Sequence, residues 1–200
     1  MCLNNNCAHR RDWREKCHII PEMVRTCPIR KSATNAGFSL IELLIVVAII
    51  LIIAAVAIPN LLRARIAANE SSAASSVRSI ATAEVTYNAA YPTLGYAAAL
   101  SNLGGLPAGC TPSSATACLI DSVLSTGVKS GYAFKATGFP SGSSPVNISF
   151  VVGAAPSAFN QTGIRNFCII TDGVLRSNPG VSGGLPAPDA ATCVAYAIAQ

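Results

Sequence analysis

Residues 38–58 read FSLIELLIVVAIILIIAAVAI, 21 residues with one charged side chain, Glu42. An apolar run of that length is enough to cross the hydrocarbon core of a bilayer as a single helix. A helix that is apolar on every face must rest in lipid or at the centre of a helical bundle, so this segment restricts the architecture before anything else is read. A carboxylate inside such a run costs free energy unless it finds a partner, which makes Glu42 a functional signal. A plain anchor has no use for an acid in the first turns of its membrane helix.

The flanks show how the run is handled. Lys31-Ser-Ala-Thr-Asn-Ala-Gly37 stands before it and Pro59 follows it. An ordinary secretory signal has a short apolar region and a small-residue cleavage site after it. Here the run is too long, no Ala-x-Ala follows closely, and the small residue, Gly37, lies on the basic side. Gly37, Phe38, Ser39, Leu40, Ile41 and Glu42, with Pro59 after them, resemble the prepilin family of type IV pilins and type II secretion pseudopilins. The resemblance covers roughly the first third of the chain.

The resemblance implies that a prepilin peptidase cuts between Gly37 and Phe38 and that the new amine of Phe38 is N-methylated. Such a cut keeps the whole apolar helix in the mature protein. It further implies a homo-oligomer, or an assembly with related pilins, in a helical filament. There Glu42 of one subunit pairs with the Phe38 amine of its neighbour and sets the axial register. The implied partners are the prepilin peptidase/methylase, inner-membrane lipid and other filament subunits.

Residues 1–37 hold seven Lys/Arg against Asp12, Glu15 and Glu22, a net +4 of the chain's +5. This leader satisfies the positive-inside rule, so it stays cytoplasmic and the C-terminal part crosses the inner membrane. The basic balance thus belongs mostly to a segment that is removed, and no nucleic-acid surface is expected. Met23 opens a shorter leader containing all that the peptidase needs, so residues 1–22 are expected to reflect a start codon assigned too early. The rival reading is a metal site from Cys2, Cys7, His9, Cys17, His18 and Cys27. Its spacings do not match the paired short spacings of zinc ribbons or fingers.

Past Pro59, which kinks or stops a helix, residues 60–90 are Ala-rich and still read as helix. Leu62, Ile66, Ala73, Val77, Ile80 and Tyr87 form one apolar stripe, with Arg63, Arg65, Asn69, Glu70, Ser71, Arg78 and Glu84 mostly off it. The expectation is a helix over 38–90, about 80 Å long at 1.5 Å per residue. Tyr91-Pro92 ends it. The parts are therefore a leader over 1–37, a membrane or filament-core helix over 38–58, an amphipathic helix over 59–91 and a head over 92–200.

The head is rich in Gly, Ser, Pro and Ala. Residues 131–137, 146–152, 165–170 and 174–176 read as strands, with a turn at Thr171-Asp172-Gly173. The predicted fold class is α+β: a long N-terminal helix, its first half membrane-spanning, packed on a small antiparallel sheet. The stretches 92–130 and 181–191 are long and poorly patterned. Four cysteines follow the leader, Cys110, Cys118, Cys168 and Cys193, an even count on an exported side, where disulfides persist. Three pairings are open. Cys110–Cys118 closes a local loop; Cys168–Cys193 ties the tail to the sheet and resembles the C-terminal disulfide of many type IV pilins.

Catalytic and cofactor chemistry find little support. Both histidines, His9 and His18, fall in the leader, which leaves the mature chain without the usual general base. No Cys-x-x-Cys, phosphate loop or close acidic cluster appears, so no cofactor, no metal and no enzyme are expected. Asp172 and Asp189 read as turn residues, and the Asn147-Ile148-Ser149 acceptor pattern falls inside a strand. The leading expectation is a structural subunit of a type IV pilus. The alternative is a type II secretion pseudopilin, and a third is a membrane-tethered binding protein that forms no polymer.

Overall fold

The computed structural model describes residues 38–105 and 109–199. The leader, with Gly37, Met23 and the Cys/His set, lies outside the described residues. The described residues fall into two units that meet in sequence between Leu43 and Leu44.

Helix α1 runs Leu40–Ala90 with Pro59 inside it. Proline has no N–H to give to Ala55, and the helix nonetheless continues through it rather than stopping. At the other end the N–H of Tyr91 still reaches the carbonyl of Tyr87 at 2.8 Å, and the helix closes before Pro92. Three short helices follow in the regions that read as unpatterned: α2 (Leu100–Leu103), α3 (Ser122–Ser125) and α4 (Ala190–Val194). Their starts are local: the carboxylates of Asp121 and Asp189 accept from the N–H groups of Leu124 and Thr192, as N-cap side chains do. Asp189 is thus a helix cap rather than a turn residue.

The strands are β1 (Val128–Lys129), β2 (Tyr132–Pro140), β3 (Asn147–Pro156), β4 (Arg165–Ile170), β5 (Arg176–Pro179) and β6 (Ala197–Ile198). They form one six-stranded antiparallel meander in sequence order. The turn from β1 to β2 carries Ser130 at φ 50° and Gly131 at φ 73°, the doubly left-handed geometry of tight hairpins. In β2, Tyr132, Phe134 and Ala136 are buried and Lys135 is exposed, the alternation of a half-buried strand. The expected α+β architecture is therefore the observed one.

Two strands lie outside the sequence reading. β1 and β6 are two residues each, too short to leave a pattern. β5 begins at Arg176 rather than Val174, and Arg-Ser-Asn-Pro has little intrinsic strand preference. Its ladder to β4, from Arg165↔Pro179 to Cys168↔Arg176, makes it a strand. The Thr171–Gly173 turn is sharpened by Asp172, which accepts from Val174 and pairs with Arg176.

The sheet buries both faces. On one, Phe134, Phe150, Val152, Phe167 and Ile169 join Val77, Ile80 and Tyr87 of α1 in the main core. On the other, Val151, Cys168, Ala187 and Cys193 form a second cluster. A Cβ on Gly153 would stand 2.5 Å from the backbone nitrogen of Ala187, so glycine at this position lets the 186–187 segment lie against the sheet. Cys168 is bonded to Cys193 within that cluster, and Cys110 to Cys118 in the loop after α2. Replacing Cys168 and Cys193 together by Ala is expected to lower stability by about 3 kcal/mol, the chain-entropy value for a loop of this length. Denaturant titration checks this. An unchanged midpoint would mean that the apolar back cluster alone holds the tail.

Candidate functional site

Phe38 precedes α1 and is exposed, and Ser39 starts the helix by accepting from Glu42 N at 3.1 Å and Leu43 N at 3.2 Å. Glu42 falls in the first helical turn, where unsatisfied backbone N–H groups make a negative side chain favourable. Phe38 and Glu42 are four residues apart, about one turn of helix. The apolar side chains of residues 40–58 are exposed, Leu40 at 81% and Val47, the least so among the large ones, at 46%. This is the one helix among the described residues that is long and apolar enough to cross a membrane. So large an exposed apolar surface requires lipid or other helices around it.

The exposure continues past Pro59. Leu62 stays 56% exposed and Ile66 is half-buried, so the stripe read through them does not meet the head so early. Burial begins at Glu70 and proceeds through Ala73, Val77, Ile80, Glu84 and Tyr87. The steps of three and four residues are those of a helix face against a partner. Glu70 and Glu84, read from their charge as lying mostly off this face, are on it. The spacing held the signal; giving charge priority over spacing concealed it.

The two acids are satisfied differently. One carboxylate oxygen of Glu70 accepts from the backbone N–H groups of Ile164 (2.9 Å) and Arg165 (3.1 Å), and the other from Arg165 Nε at 2.9 Å. Arg165 Nη2 closes an ion pair with it at 2.8 Å. The neighbouring Asn69 amide donates to the carbonyl of Thr162 at 2.9 Å, so two successive helix residues hold the β3–β4 connection. Glu84 is fully buried; Oε2 accepts from Ala97 N at 2.8 Å and Oε1 has no partner. Burial pushes its carboxyl up to about 7, with the Ala97 N–H opposing that rise.

Other charges are paired at the surface. Lys129 lies 2.9 Å from Asp121 and, with the Leu124 N–H, holds that carboxyl below its ordinary range. Asn147, the residue of the acceptor pattern, opens β3 and gives its side-chain amide to the carbonyl of Tyr96 at 2.9 Å. Among the described residues no three His, Cys, Asp or Glu stand together as a metal site would need. The site is an exposed apolar helix with an acid in its first turn, continued by a segment that the head buries.

The family pattern described as the prokaryotic N-terminal methylation motif matches residues 32–58. It covers Gly37, Phe38 and Glu42 and stops one residue before Pro59. No curated protein and no solved structure matches the chain.

Proposed function

From the prokaryotic N-terminal methylation motif that this chain carries at residues 32–58, the mark of type IV pilins and pseudopilins, we propose that it is a structural subunit of a type IV pilus. In this reading the leader is cut after Gly37, the amine of Phe38 is methylated, and the exposed apolar part of α1 first rests in the inner membrane. The same surface then packs against sister helices in the filament core. The observation that carries the reading is the union of the matched motif with an apolar helix whose first turn holds Glu42. A filament removes from lipid only what can be re-buried, and these side chains have nothing of their own head to lie on.

Mass spectrometry of the protein from a host with the processing enzyme tests the route. The expected mature chain begins at methylated Phe38, and Gly37→Leu leaves an uncut precursor in the membrane. A natural product still carrying residues 31–37 overturns the proposal. The pilus is favoured over a secretion pseudopilus by the bond between Cys168 and Cys193 that ties α4 to the sheet, the tail disulfide that resemblance to pilins implies. Imaging cells for surface filaments labelled by this subunit separates the two readings.

A further inference from the structure

After α1 ends, residues 91–99 cross back over the head as a strap. Asn147 holds the middle: its backbone bonds Tyr96 and Leu94, each at 3.0 Å. Bridges tie Gly95 to Asn147 and Ala99 to Thr137. Between those bridges the strap is fastened to α1 by one bond, from Ala97 N to the carboxyl of Glu84 at 2.8 Å. Glu84 is fully buried with its second oxygen unpartnered.

We propose that Glu84 is a proton-controlled latch on the 91–99 strap, closing it over the core when protonated and loosening it when ionised. A neutral carboxyl fits this position, because its carbonyl oxygen accepts from Ala97 and its desolvation is modest. An ionised one needs a cation or water. The titratable group beside it is Tyr87, one turn on along α1, and it supplies no positive charge. From α2, β2, β3 and β4 the shared core receives Leu103, Phe134, Phe150 and Phe167, all apolar. Lys135 of β2 points to the exposed face, and Arg165 of β4 is committed to Glu70. No Lys, Arg or His is buried among the described residues. Water is therefore the available partner for the charge. An open groove of about 360 Å³, lined by Tyr87, Leu94, Tyr96 and Ala98, runs beside the strap.

The direction follows from linkage. The carboxyl binds its proton more tightly in the closed form than in the open form, so closure is favoured at low pH. That advantage is lost progressively as pH rises from the ordinary 4.5 to about 7. This inference concerns the head alone and stands whether or not the chain forms filaments.

Hydrogen exchange read by mass spectrometry on the full chain in detergent tests it. After correction for intrinsic exchange, protection of the strap peptide spanning 94–99 is expected to fall roughly 30-fold between about pH 5.5 and about pH 8.5, as the two proton affinities require. Peptides covering Val152 and Ile169 are expected to stay constant. Glu84→Gln, which keeps an acceptor for Ala97, is expected to hold strap protection level across that range. Constant protection in the unaltered chain overturns the proposal. So does a parallel fall in the sheet peptides, which would mean loosening of the whole head, or a fall retained in Glu84→Gln. If that variant does not fold, the comparison of strap with sheet in the unaltered chain decides.

Discussion

Glu42→Ala subunits are expected to insert, be processed and accumulate in the membrane, yet to be nearly absent from filaments. Insertion should not suffer, because alanine makes the run more apolar. Assembly should, because the Phe38 amine of the adjoining subunit would then enter a dry helical core without a counter-charge. Removing one member of a buried pair costs about 3–5 kcal/mol, on the order of 10²–10⁴-fold in the equilibrium of each addition step. Glu42→Gln should fall between, since it can accept a hydrogen bond but carries no charge. The measurement is the ratio of variant to unaltered subunit in the sheared filament fraction when the two are co-expressed. Equal incorporation would falsify the register role proposed for this carboxylate.

The second large effect is expected at Glu70. Glu70→Ala should destabilise the head by about 3 kcal/mol, because it leaves the N–H groups of Ile164 and Arg165 and a guanidinium without their acceptor. For a domain of this size that is a fall in Tm on the order of 10 °C. Arg165→Ala should cost less, about 1 kcal/mol, since that side chain is half-exposed and the two backbone bonds survive without it. Calorimetry on both variants reads the difference. Equal losses would mean that the ion pair, and not the amide clamp, holds the β3–β4 connection to α1.

How far the molecule can be read from its residues differs by region. The membrane-length helix and the matched motif were legible because length and apolarity are properties of a linear run, and so is a motif over residues 32–58. Neither requires the chain to be folded. The strands β2 to β4 were legible because Tyr132, Phe134, Val151, Val152 and Ile169 carry both β preference and the core itself. β5 was blurred and β1 and β6 were invisible, because their backbone bonds come from neighbours in the sheet.

The acids of α1 mark the limit most clearly. Glu42, Glu70 and Glu84 are one residue type on one helix, and composition treats them alike. The apolar run alone makes Glu42 conspicuous, since nothing else in it can satisfy a charge. For the other two, the surroundings arrive from residues far along the chain: Arg165 and the amide of Ile164 for Glu70, the single amide of Ala97 for Glu84. Solvation of a carboxylate depends on what lies within a few ångströms in space, and only folding brings those atoms there.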